Sequence, residues 1–323
     1  MIDAKRLYPA EDYIELAMSF GCNLKCSHCM IEGTMELLNP QSLEQFHSLL
    51  SLNKQESRWT GLTLTGAEIT LDPRLAEMAS LALDHGFKNI RIQTHGGQLA
   101  DPDFTAKLID SGINEFFISV TASTPEAHDR ITGVPGSFER TLQGIANVSA
   151  YPSASVITNT VITDLSYQHL PAVVALLSQY AAVKQLEFWY YFPMRSADHK
   201  FLLVPADQCL PYLLEAFRIA YSYSLPVEIK NFPQCLLGSF QNLLYNDQPQ
   251  LEIDPRFWDE FGRNGFYQCT YKSQCTSSMC LGLSTAYIHR FGWEADILHP
   301  LIGPSISGLA GSESIDAIRQ PEP

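Results

Sequence analysis

From residue 12 to 193 the chain alternates between short β-branched or apolar runs and amphipathic stretches of helical length. The pattern predicts strands at 13–18, 61–65, 90–94, 115–121, 156–163 and 185–190. Between them it predicts helices at 41–52, 73–85, 102–111, 137–148 and 170–180. Strands that alternate one by one with helices imply a parallel sheet covered by helices. The turns carry matching punctuation: Asp72-Pro73, His85-Gly86, Asp101-Pro102 and Ser111-Gly112. Six β/α units fall short of the eight that close a TIM barrel. The expected fold is therefore α/β, a partial, TIM-like (β/α)6 barrel over residues 12–195, with its active site at the C-terminal ends of the strands.

Past residue 193 the rhythm changes. One helix is expected at 205–223, followed by a stretch rich in Gly, Asn, Cys and aromatic residues. Residues 196–302 read as a C-terminal cysteine-rich extension, and the Ser/Gly/Pro-rich residues 303–323 as a loosely ordered tail.

Composition narrows the function classes. Hydrophobic residues make up 46% of the 323, ample for a core, and charged residues only 17%, which excludes a disordered or coiled-coil chain. The formal net charge of −14 argues against nucleic acid as a partner, since a phosphate-binding surface needs a basic face. It suits a neutral or cationic substrate. No apolar run reaches the roughly 18 residues of a membrane span. Residues 1–15 carry four acids and no long apolar core, unlike a signal peptide. The eight cysteines are thus expected in a reducing cytoplasm, where grouped thiols bind metal more often than they pair.

Three cysteines follow directly on the first strand: Gly21-Cys22-Asn23-Leu24-Lys25-Cys26-Ser27-His28-Cys29, spaced C-x3-C-x2-C. Soft thiolates suit zinc and iron–sulfur clusters alike. Three on one short loop can wrap three corners of a 4Fe–4S cube and leave one iron open. Zinc would want a fourth nearby ligand, and His28, wedged between two of the cysteines, would need an awkward turn to supply it.

This loop, placed after strand one of a β/α series, resembles the signature of the radical S-adenosylmethionine superfamily. The resemblance implies a 4Fe–4S cluster on Cys22, Cys26 and Cys29 whose open iron is chelated by S-adenosylmethionine. Reductive cleavage of that cofactor would give a 5′-deoxyadenosyl radical that abstracts a substrate hydrogen, with electrons from a donor such as flavodoxin or ferredoxin. Further motifs fall on successive strand ends. Thr65-Gly66-Ala67-Glu68 is similar to the family's glycine-rich turn, with Ala67 in place of a second glycine and Glu68 expected at the cofactor's ammonium. Thr94-His95-Gly96 is similar to a Thr-Asn-Gly turn; His95 either lines the cofactor or fills the turn. Ser119 with Thr121, Asn159, and Tyr190 with Tyr191 stand where the family contacts ribose, carboxylate or adenine. Asn159 reads equally as a buried amide bonded to backbone, and the aromatics as core filling.

Of the remaining thiols, Cys269, Cys275 and Cys280 are spaced C-x5-C-x4-C, and Cys235 lies in a loop-like setting. These four could hold a second, auxiliary 4Fe–4S cluster, similar to the extensions of many radical enzymes that modify ribosomal peptides. A zinc knot and inert buried thiols are the alternatives. Cys209 opens the helix at 205–223. It reads either as an inert core residue or as a thiol that returns a hydrogen atom to a substrate radical.

The function expected is hydrogen abstraction from a ribosomal peptide, ending in epimerisation, cross-linking or dehydrogenation. The first strand begins near Tyr13, which leaves no room ahead of it for a leader-peptide-binding domain. That keeps a small molecule such as an amino sugar in view. The alternative from another class is a non-catalytic protein whose two cysteine groups hold structural zinc or iron–sulfur.

Overall fold

The computed structural model describes residues 7–303, apart from 32, 34–35 and 263–267. The tail expected at 303–323 lies, but for Gly303, outside the described residues. Eight strands build one sheet: β1 (Tyr13–Ser19), β2 (Gly61–Gly66), β3 (Asn89–Thr94), β4 (Glu115–Ser119), β5 (Ser155–Ile162), β6 (Val183–Tyr190), β7 (Val227–Lys230) and β8 (Gln250–Glu252). Their order is β7-β6-β5-β4-β3-β2-β1-β8, and every neighbouring pair is parallel. The partial, TIM-like α/β barrel expected from the sequence is present. Its sheet counts eight strands rather than six, because two short strands beyond residue 195 extend it at both edges.

The helices are α1 (Leu43–Glu56), α2 (Leu75–Asp84), α3 (Pro102–Asp110), α4 (Pro125–Thr132), α5 (Ser137–Ser149), α6 (Leu170–Leu177), α7 (Ala206–Ser222), α8 (Arg256–Gly262) and α9 (Thr285–Phe291). Local chemistry sets their starts. Ser42 and Gln45 form a reciprocal capping box on α1. Asp101 caps α3 with Pro102 in its first turn, where the missing N–H costs nothing. The pattern misses α4, whose polar sequence hides its three buried positions, His128, Ile131 and Thr132. Among the described residues no helix is long and apolar enough to cross a membrane.

The strands alternate, with bulges in β1 and between β5 and β6. Ile14, Leu16, Leu62, Leu64, Ile90, Ile92, Phe116, Ile118, Val156, Leu186, Phe188 and Ile229 turn to the helices and join one buried core. The intervening residues face the other way and are polar or charged at Glu15, Thr63, Arg91, Glu115, Asn159, Gln185, Glu187, Glu228 and Lys230. The sheet curls strongly enough to turn β1 toward β6 and β7. Six strand spacings separate β1 from β7, roughly 29 Å in a flat sheet. Yet Glu15 on β1 feels the charges of Glu187 on β6 and Lys230 on β7. The polar residues therefore line the concave inside of a half-barrel.

Candidate functional site

The cysteine loop leaves the C-terminal end of β1 and is pinned from two sides. Lys25 N donates to Thr132 O and Ser27 N to Ile131 O, both at 2.8 Å, which fastens the middle of the loop to the end of α4. Gly133 closes that helix in the left-handed region, and a Cβ there would stand 2.9 Å from Lys25 O. On the other side, Ala67 N donates to Ser19 O at 2.8 Å and Glu68 N to Gly21 O at 3.0 Å. Gly66 permits this approach: its φ is +141°, and a Cβ would fall 1.8 Å from Ser19 O.

Burial holds all three thiols above their ordinary range. Cys26, pushed up to about 12, is raised first by burial and then by Cys29 and Cys22. Thiolates this close together need a cation between them. Leu24 N donates to Cys22 Sγ at 3.4 Å, the kind of contact that stabilises cluster sulfurs. Burial lowers His28 to about 4, with Lys200 and His128 adding to the effect, so the ring is neutral. Among the described residues no three His, Cys, Asp or Glu side chains converge as they would on a single ion. The donor set fits an iron–sulfur cluster.

Glu68 is completely buried, not the solvent-facing acid its loop position allows. Its Oε1 accepts from Thr70 N (3.0 Å), Thr70 Oγ1 (2.6 Å) and Thr94 Oγ1 (2.6 Å). Its Oε2 accepts from His95 N at 2.9 Å and faces His95 Nε2 at 3.0 Å. Glu68 and Thr94 therefore form a knot between the ends of β2 and β3. His95 extends that knot: Gly97 N donates to Nδ1 at 3.0 Å, which leaves Nε2 as the ring's donor, 2.7 Å from Asn23 Oδ1 in the cysteine loop.

Ser119, at the end of β4, and Asn159, inside β5, are register partners. Asn159 is 6% exposed, and among the described residues its Oδ1 has no partner, nor has the buried Thr121 Oγ1. Such orphaned buried atoms are what a cofactor's hydroxyl and amino groups would satisfy. Tyr190 is built into the core instead. Its hydroxyl donates to Val204 O, and its ring meets Phe232 edge-on at 5.1 Å. Cys209 is fully enclosed in the core, and its thiol is raised by burial.

The other four thiols border a common cavity. Cys235, Cys269, Cys275 and Cys280 line one cavity with His299 and Gly282. Burial, then Cys280 and Cys269, raise the Cys235 thiol, against a lowering by the His299 backbone N–H. Leu301 N donates to Cys275 Sγ at 3.4 Å and Tyr271 N to Cys269 Sγ at 3.5 Å. A Cβ on Gly282 would stand 2.5 Å from Gln268 O.

Sequence reasoning missed the His95–Asn23 link, Lys200, whose Nζ donates to Ser27 O at 2.9 Å, and the charged concave face. The last was visible as period-two polar positions inside otherwise apolar strands.

The family model described as "Radical SAM superfamily" matches residues 16–177. An AdoMet-dependent heme synthase of Methanosarcina barkeri is 28% identical over 195 residues, 59% of this chain and 53% of that protein. The chain thus spans about half the length of this curated relative. Streptococcus suis SuiB, solved bound to precursor peptide SuiA, superposes with a TM-score of 0.55 at 16% identity, over 68% of this chain and 48% of that one. The structure of native anSMEcpe with bound AdoMet gives 0.55 at 17%, over 67% and 64%. Both likenesses are of fold.

Proposed function

This chain belongs to the radical SAM superfamily, and from that premise we propose that it cleaves S-adenosylmethionine reductively on a cluster held by Cys22, Cys26 and Cys29 and abstracts a hydrogen from a substrate lying in the half-barrel. The placement of those three thiols on one loop, pinned to the ends of β1, β2 and α4, carries the reading. Cluster and cofactor, when bound, supply the radical chemistry. The chain's residues hold and shield them. Gly66, Ala67 and Glu68 fix the β2 end against the loop, Thr94 and His95 lock it to β3, and Ser119 at the end of β4 with Asn159 beside it on β5 offers polar atoms.

Cys235, Cys269, Cys275 and Cys280 hold an auxiliary 4Fe–4S cluster, supported by the cavity they share. A ribosomal peptide is the substrate class this extension favours, and the fold likeness to an enzyme solved with a precursor peptide is in keeping with it. The charged concave face favours a second reading, a small amine-bearing molecule such as an amino sugar.

Anaerobic reconstitution tests the proposal. The protein is expected to bind about eight irons, two cubes' worth, and to release 5′-deoxyadenosine under reductant. Replacing Cys22, Cys26 and Cys29 by Ala should abolish cleavage and leave about four irons. Replacing the other four should remove their four irons and spare cleavage of the cofactor. Colourless protein with two zinc ions and no cleavage refutes the enzyme reading.

A further inference from the structure

Residues 191–205 carry the chain from β6 to α7 and touch the cysteine loop on the way. This strap is fastened on both flanks. Asp198, with its side chain 1% exposed, accepts from Leu202 N at 3.1 Å, Leu203 N at 2.7 Å and Arg290 Nη1 of α9 at 2.5 Å. Ser196 O meets His289 Nδ1 of the same helix at 2.9 Å, and Leu202 O accepts from Asp164 N at 2.8 Å. Phe201 N closes a turn onto Asp198 O at 3.3 Å, and Phe201 takes a φ of +56°. A bulky residue in the left-handed region persists only where its surroundings hold it. Lys200 is therefore presented from a fixed turn.

Lys200 Nζ donates to Ser27 O at 2.9 Å. Ser27 lies in the turn that Cys29 N closes onto Cys26 O at 3.1 Å, and that turn carries two of the three thiols. The end of α4 holds Ser27 by its N–H, and Lys200 holds it by its carbonyl. The Cys22, Cys26 and Cys29 thiolates bring negative charge to this loop, and Glu68, joined to it through Gly21 O, adds more. Asp198 is already matched by Arg290. Two other cations come near. Arg195 Nη2 approaches the chain at Gly33, beyond the last cysteine, and the stem of Lys25 packs at Gly133, past the end of α4. Lys200 is the one bonded between the cysteines. Burial raises the Cys29 thiol, and the Ile31 backbone N–H and then Lys200 lower it.

The reduction potential of an iron–sulfur cluster follows the net charge and hydrogen bonding around it. A cation fixed beside the ligand turn favours the state that carries one more electron. We propose that Lys200 is a positioning residue whose charge, fixed at the Cys26–Cys29 turn, raises the reduction potential of the first cluster and so eases its loading by an external electron donor. This rests on the reading that Cys22, Cys26 and Cys29 hold that cluster. Lys200 is exposed, so water and salt screen its charge and the effect is modest. The strap adds a consequence. Because Asp198 is tied to α9, which begins five residues after Cys280, the second cysteine region braces the residue that tunes the first.

Redox titration of the reconstituted, full-length protein, followed by electron paramagnetic resonance, tests the proposal. The signal of the first cluster is the one that changes when S-adenosylmethionine is added. At a fixed potential, Lys200→Met should lower the ratio of reduced to oxidised cluster about threefold, the scale of one solvent-screened charge contact. Lys200→Glu should lower it further, and Lys200→Arg should restore the parent ratio. The exposed Lys54→Met, on α1, should leave it unchanged. Salt at about 1 M should narrow the spread across the series. A flat series with iron content intact overturns the proposal. So does an equal displacement by Met, Glu and Arg, which would make Lys200 a loop pin without an electrostatic role, or the same displacement by Lys54→Met. Should Lys200→Met fail to take up iron, Lys200→Gln, which keeps a donor without the charge, replaces it with the same expectation. Iron content separates the two readings. If replacing Cys22, Cys26 and Cys29 by Ala removes no iron, the cluster reading fails and this proposal with it. Full iron with a flat series refutes this proposal alone.

Discussion

His95 Nε2 stands 2.7 Å from Asn23 Oδ1, tying the turn after β3 to the cysteine loop after β1 across the intervening strand. The same nitrogen lies 3.0 Å from Glu68, so one N–H serves a buried carboxylate and a loop amide together. His95→Ala should remove both contacts and cost about 1–3 kcal/mol, the price of a buried acceptor losing a donor. The loss should show as a lower denaturation midpoint and as faster amide exchange at residues 23–25. His95→Asn retains a donor and should lose less. Exchange at the loop unaffected by either change would mean that the loop is held by its α4 contacts alone.

Gly66 and Ala67 sit side by side with opposite tolerances. A side chain at 66 would overlap Ser19 O and would need a φ of +141°. Gly66→Ala should therefore cost at least about 3 kcal/mol, combining strain with loss of the β1–β2 junction. Ala67 uses only its backbone there, as a donor to Ser19 O. Ala67→Gly should change stability by less than about 1 kcal/mol in urea titration. Equal effects at both positions would contradict the close approach.

The parts of the molecule that obey a period were legible in its sequence. β1 to β6 and most of their helices follow from alternation and turn residues, and the cysteine spacings pointed to the two places where thiols gather. Position 68 announced an acid at a strand end, but not its burial, because the donors that bury it come from Thr70, Thr94 and His95 on two different turns. β7 and β8, at four and three residues, are too short to show a period, and only closure onto β6 and β1 makes them strands. Tyr190 and Cys209 show the limit from the other side: a strand-end aromatic and a helix-start thiol suggest a site, while their burial, Tyr190 against Phe232 and Cys209 within α7, is not visible in the sequence.

Arg91 and Glu115 are both nearly sealed, with side chains 8% exposed and 2.8 Å between Nη2 and Oε2. Removing one partner strands the other charge. Glu115→Gln should destabilise by about 3–5 kcal/mol, while replacing both residues with apolar ones of similar volume should cost much less. A double-mutant cycle in chemical denaturation measures the difference. Near-additivity of the two single changes would show that Tyr13 and Tyr8, rather than Glu115, stabilise the guanidinium.

Glu15 makes stability depend on pH in a direction opposite to that of ordinary paired acids. Burial is the main cause of its rise from 4.5 to about 7; Glu187 adds to it, and Arg91 and Lys230 oppose it. Between those two values the folded chain binds a proton that the unfolded chain has released, so folding weakens as pH rises. The contribution is fully present below about 4.5 and is lost as pH climbs through 7. Glu15→Gln carries no ionisable group, so it should match the parent protein at pH 4. It should then gain on it steadily, reaching an advantage on the order of 1–3 kcal/mol above pH 7. Urea midpoints at pH 4, 6 and 8 provide the measurement. A difference that stays constant with pH would show that Glu15 ionises on the barrel wall as freely as in water, and that the wall is wetter than its packing implies.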